Sequence, residues 1–91
     1  TDGMILATSH TLTGDPVLIA NGTGGPHCAV VRCTAGTDVV IGGSATDCLY
    51  PVKTTDAEGV ELEINIGEEV WADGTGTLIT LEFELSATPV I

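Results

Sequence analysis

The stretch Val60-Glu61-Leu62-Glu63-Ile64-Asn65-Ile66 alternates apolar and polar side chains without a break, and Ile79-Thr80-Leu81-Glu82-Phe83-Glu84-Leu85 does so again. A two-residue repeat is the period of a strand with one face in a core and the other in water. The two segments are therefore predicted to turn Leu62, Ile64, Ile66, Ile79, Leu81, Phe83 and Leu85 into one shared core, leaving Glu61, Glu63, Glu82 and Glu84 on solvated faces. Leu78, Leu81 and Leu85 also fit a helical stripe. Strict alternation in a chain rich in β-branched residues favours the strand.

Around these two segments the chain offers shorter apolar runs at residues 17–20, 29–34, 39–41, 49–52 and 70–72. Glycine and proline leave little room for helices, because the longest segment free of both is 77–88. Asn21-Gly22-Thr23-Gly24-Gly25-Pro26 reads as a loop, Ala35-Gly36-Thr37-Asp38 as a tight connection, and Asp73-Gly74-Thr75-Gly76 as a hairpin turn between Trp71 and Leu78. Residues 53–58 fit either one helical turn or a plain loop. About seven short strands at regular spacing predict an all-β fold: a small antiparallel β-sandwich or a jelly-roll-like barrel. With 91 residues and no internal repeat, residues 1–91 read as one domain. The segment from Met4 to Leu12 is either a terminal anchor for a partner or the first strand.

Apolar residues are 43% of the chain, enough for a core, but aromatic residues are only 3%, so that core must rest on Val, Ile, Leu and Ala. Thirteen Asp and Glu face only Arg32 and Lys53, a net charge of −11. Nucleic acid is excluded as a partner on that balance, since phosphate binding needs clustered cations, and an anionic membrane is disfavoured for the same reason. The charge serves solubility, or matches a partner with a basic face. No stretch approaches the length of a transmembrane helix, and residues 1–13 lack the basic start and long apolar run of a secretory leader. Cys28, Cys33 and Cys48 have no metal-ligand spacing, and residues five apart on a strand face opposite sides. Free buried thiols, suited to a reducing cytoplasm, are expected.

Candidate chemistry is sparse. Gly42-Gly43-Ser44-Ala45-Thr46 lacks the last glycine of a nucleophile elbow, and neither His10 nor His27 has a partner pattern for general-base work. The glycines at 22–25 lack the Lys-Ser/Thr of a phosphate loop. Glu68, Glu69 and Asp73 have no EF-hand spacing. Asn21-Gly22-Thr23 is a glycosylation tripeptide but also an ordinary turn, which is the preferred reading. Trp71 suits a core or an interface better than a sugar platform. We expect no enzyme, no cofactor and no metal site.

The second half carries a cadence: Asp38-Val39-Val40-Ile41-Gly42-Gly43-Ser44, then Gly59-Val60-Glu61-Leu62-Glu63-Ile64, Gly67-Glu68-Glu69-Val70-Trp71-Ala72, Gly74-Thr75-Gly76-Thr77-Leu78 and Leu81-Glu82. It resembles small virion structural proteins of tailed bacteriophages, many of which pair a "V-x-I-G-G-S" strand and turn with a later "G-E-x-V-W/Y-A" strand and a closing "G-T-x-x-L" hairpin. The resemblance spans residues 38–84; residues 1–37 do not share in it. It implies a β-sandwich that decorates or cements the outside of a capsid, assembled in the host cytoplasm, as a homotrimer bound to the major capsid protein. The alternative it implies is a tail, neck or fibre module that recognises a host surface or glycan. Gly42 and Gly43 are then scaffold positions expected at positive φ, with Gly67, Gly74 and Gly76 turning the chain. Met4, Ile5, Leu6, Leu12 and Trp71 are the candidate partner-interface residues.

Overall fold

Each of the apolar runs forms a strand, and the segment before them forms another. In a computed structural model that describes residues 5–84, the chain runs β1 (Ile5–Thr13), β2 (Val17–Asn21), β3 (His27–Ala35), β4 (Val40–Gly42), β5 (Cys48–Pro51), β6 (Val60–Ile64), β7 (Glu69–Asp73) and β8 (Thr75–Phe83). The strands make two four-stranded sheets, ordered β1-β8-β3-β6 and β2-β7-β4-β5, with antiparallel pairing throughout. Among the described residues the count is thus eight, because residues 5–13 are the first strand of the sandwich.

The pairs β1·β8, β2·β7, β3·β6 and β4·β5 describe one long hairpin rolled so that successive pairs fall in alternate sheets. That is the jelly-roll arrangement of a β-sandwich. Where the hairpin passes between sheets, its two arms bond to each other. Gly14 N donates to the Gly74 carbonyl at 2.9 Å, Gly22 N to that of Glu68 at 2.9 Å, and Val52 N to that of Val39 at 3.0 Å. Residues 73–76 are therefore a crossover from one sheet to the other, at a positive φ of 105° for Gly74, and not a hairpin turn. Residues 53–58 form a loop, with Asp56 N donating to the Lys53 carbonyl.

The core lies between the sheets. Leu12, Ala29, Val31, Cys33, Ile64 and Leu78 fill it from one sheet, and Ile19, Ala20, Ile41, Val70 and Ala72 from the other. Val39 and Val52 are buried beside the third crossover. No aromatic side chain takes part, in keeping with the composition.

The phase of β8 corrects the sequence reading. Leu78 and Thr80 are fully buried, whereas Ile79 and Leu81 are each 38% exposed on the outer face. The neighbouring strand decides this. β3 places Arg32 opposite Ile79 and Cys33 opposite Leu78, so the phase that holds Ile79 must share the water-facing side with a guanidinium. The hydroxyl of Thr80, turned inward, is satisfied by His10 Nε2 at 3.1 Å. Ile66 also departs from the expected core, lying exposed in the turn after β6, and Leu85 lies outside the described residues. Gly42 and Gly43 take no positive φ. Gly42 instead gives room, since a Cβ there would overlap the Asp47 carbonyl oxygen.

Candidate functional site

The polar side chains that might have carried chemistry are each taken up by a local partner. Ser44 Oγ lies 3.4 Å from Thr46 Oγ1 in the loop after β4. Asn21 Oδ1 accepts from Thr23 N at 3.0 Å and from its Oγ1 at 2.6 Å, the geometry of a side-chain-closed turn. Glu68 accepts from Asn65 N and Glu69 from Trp71 Nε1, and Asp73 stands four residues further along β7, about 13 Å away in an extended strand. Among the described residues no group of three or more His, Cys, Asp or Glu converges as metal ligands. The three cysteines are free, with Cys33 in the core and Cys28 on the opposite phase of β3.

His27 sits where β3 meets β8. Its Nδ1 lies 3.0 Å from the Gly25 carbonyl oxygen and its Nε2 2.8 Å from Glu82 Oε1. Both partners are acceptors, so only the doubly protonated ring donates to both. The Gly25 carbonyl, above all, and then the Glu82 carboxylate raise the pKa above the usual 6.5, against the effect of burial. For a group whose pKa is higher folded than unfolded, the added stability is complete below the unfolded value and fades as pH rises through the folded one. His27→Gln should therefore lower the melting temperature more at about pH 5.5 than at about pH 8.5. Equal losses at both would show a neutral ring. His10 moves the other way, its pKa lowered chiefly by burial and partly restored by the same Glu82 carboxylate.

Among the described residues, two apolar surfaces are the most extended of those left open. The first is the outer face of the β1-β8-β3-β6 sheet. Register aligns Ile5 with Phe83, Ala7 with Leu81 and Ser9 with Ile79, and places Val30 beside Leu81 on the next strand. These residues share the phase that points away from the core, with Ile5 72% exposed. Arg32 on β3 and Glu61 and Glu63 on β6 belong to the same face, so an apolar strip is flanked by charge. The second surface is a cavity of about 600 Å3 where the sandwich opens between β5 and β6. Ile41, Tyr50, Val60, Leu62, Ile64 and Val70 line it, together with exposed Glu63, Glu68 and Glu69.

The candidate interface residues do not form one surface. Ile5 lies on the outer strip. Leu6 points to the core side of β1 but remains half-exposed at the sheet edge. Leu12, only 3% exposed, is a core residue and leaves the interface set. Trp71 lies on the other sheet, half-buried beside Leu18, with its indole N–H donated to Glu69 Oε1 at 3.0 Å. Met4 lies outside the described residues. Sequence reasoning missed Ile79 and Leu81 as surface residues and missed the cavity; the one signal for the former was Arg32, two residues after Val30 on a neighbouring strand. No protein-family model, curated protein or solved structure matches the chain.

Proposed function

We propose that this protein is a structural component of a bacteriophage particle that decorates the outer capsid surface, holding the major capsid protein through the outer face of the β1-β8-β3-β6 sheet. The observation that carries the reading is the apolar strip formed by Ile5, Ala7, Ile79 and Leu81 on a chain of net charge −11. Apolar anchors give affinity when they are desolvated, and the charges around them steer encounter and select the partner. The resemblance of residues 38–84 to phage virion proteins supplies the capsid, and jelly rolls are a fold that capsid proteins use, though fold alone does not assign a role.

The strip is small. Three strands by five residues cover roughly 14 × 17 Å, or about 240 Å2, well under the ~800 Å2 per partner of a stable interface. One copy would bind weakly, which is why a homotrimer is the expected form: three linked contacts act by avidity without needing a larger patch. The mechanism is additive clamping, in which each trimer bridges neighbouring capsid subunits. A tail or fibre module recognising a glycan would use its aromatics as a stacking platform, but Trp71 and Tyr50 lie on opposite phases of the β2-β7-β4-β5 sheet.

Co-sedimentation with capsids stripped of decoration tests the proposal. The wild type should pellet with capsids and saturate, and light scattering should give the mass of three chains. Ile79→Lys/Leu81→Lys, on the outer face, should stay folded and remain in the supernatant. A folded double variant that pellets like wild type, or a wild type that never pellets, would sink it.

A further inference from the structure

On the open side of the sandwich, side chains that point toward the core remain in water. Tyr50 shares its phase with buried Ile41 yet is 60% exposed, and Val60 and Leu62 stay half-exposed although they share the inward phase of β6 with buried Ile64. The reason is that, among the described residues, β5 and β6 are the last strands of their sheets, and the cavity of about 600 Å3 lies in the gap between them. A terminal strand presents unpaired N–H and C=O groups along its free side. β5 has four residues and ends in Pro51, which has no N–H to offer. β6 has five, none of them proline, and among the described residues it pairs with β3 alone.

We propose that β6 accepts an extended segment of a partner protein as an added strand, and that this segment alternates apolar and basic residues. The sequence of β6, Val60-Glu61-Leu62-Glu63-Ile64, dictates that complement. The apolar phase of an added strand lies beside Val60, Leu62 and Ile64 and fills the cavity against Tyr50. Its other phase lies beside Glu61 and Glu63, where opposite charges on neighbouring strands stabilise the pair and like charges oppose it. Among the described residues the one ion pair joins His27 and Glu82, so both of these glutamates are without a cation. The same rule disfavours pairing of β6 with β6 of a second copy, because the full-length antiparallel register, centred on Leu62, sets Glu61 against Glu63. Main-chain bonds provide the affinity in strand addition, and the alternate side chains provide the selectivity.

The cavity and the free edge of β6 lie apart from Ile5, Ala7, Ile79 and Leu81, although Glu61 and Glu63 border both surfaces; peptide binding therefore reads strand addition, co-sedimentation of Ile79→Lys/Leu81→Lys reads the capsid contact, and either can fail without the other. The probe is a capped synthetic peptide, Lys-Val-Lys-Val-Lys-Val-Lys, followed by fluorescence anisotropy and by amide hydrogen exchange of β6. Saturable binding with slowed exchange at the amides of β6 is the expected result. A peptide of the same composition in blocks, three Val then four Lys, should bind about tenfold more weakly or less. Glu61→Lys/Glu63→Lys alters two exposed positions; once circular dichroism shows the fold intact, this variant should lose the Lys-Val peptide and bind the Glu-Val counterpart. No saturable binding, equal binding of the block peptide, or indifference to the charge reversal would each overturn the proposal.

Discussion

A chain lacking residues 1–12 is expected to lose its cooperative unfolding transition, because those residues supply nearly all of β1. β1 pairs with β8 from Ile5 opposite Phe83 to Thr13 opposite Thr75. Without that ladder β8 becomes a bare edge, and Thr80, fully buried, loses the His10 ring that satisfies its hydroxyl. Leu12 goes as well, and burying a leucine is worth about 1.5–3 kcal/mol by itself. Against a total stability of about 5–15 kcal/mol for a typical domain, these losses together are fatal. Far-UV circular dichroism and a urea titration read the result. A sigmoidal transition at the wild-type midpoint would show β1 to be dispensable and would restore the detachable anchor.

That segment illustrates which parts of the fold were legible. β2 to β7 stand out because β-branched runs alternate with Gly, Asn and Pro, and both signals act over a few residues. The pairing of β1 with β8 joins the two ends of the chain, and nothing local in residues 5–13 announces a partner some 70 positions away. The turn at residues 73–76 has the composition of a hairpin, but β7 and β8 already have antiparallel neighbours in different sheets, so the same glycines serve a crossover. Gly42 has a similar lesson. A glycine in sequence says that a Cβ is unwelcome, and only the fold says whether φ or the approach of Asp47 is the cause.

The surfaces were harder to read than the strands, for a physical reason. Alternation reports which residues share a face, not which face is covered. In β6 it correctly grouped Val60, Leu62 and Ile64, but only Ile64 is fully covered, because β5 does not close over the other two. In the N-terminal segment Ile5 and Leu12 look equally fit for an anchor, yet they lie on opposite phases of one strand, seven residues apart. One faces water and the other the core.

The phase of β8 is the sharpest test of this account. Leu78→Ala should lower the unfolding free energy by about 2–5 kcal/mol, since it empties a fully buried site between Cys33 and His10 on the flanking strands. Leu81→Ala should cost under about 1 kcal/mol, since that side chain points outward and keeps 38% of its surface in water. Alternation alone demands the reverse order, because it places Leu81 in the core with Phe83. Urea midpoints at unchanged m-value give the comparison directly. Should Leu81→Ala prove the more damaging, every side chain of β8 would have to exchange faces, because a strand slips its phase as a unit. Arg32 would then be drawn toward the core and the apolar strip would no longer be outside. If Leu78 carries the loss, Leu81 is held at the surface with Ile79, at little cost to the fold, where a partner can cover it.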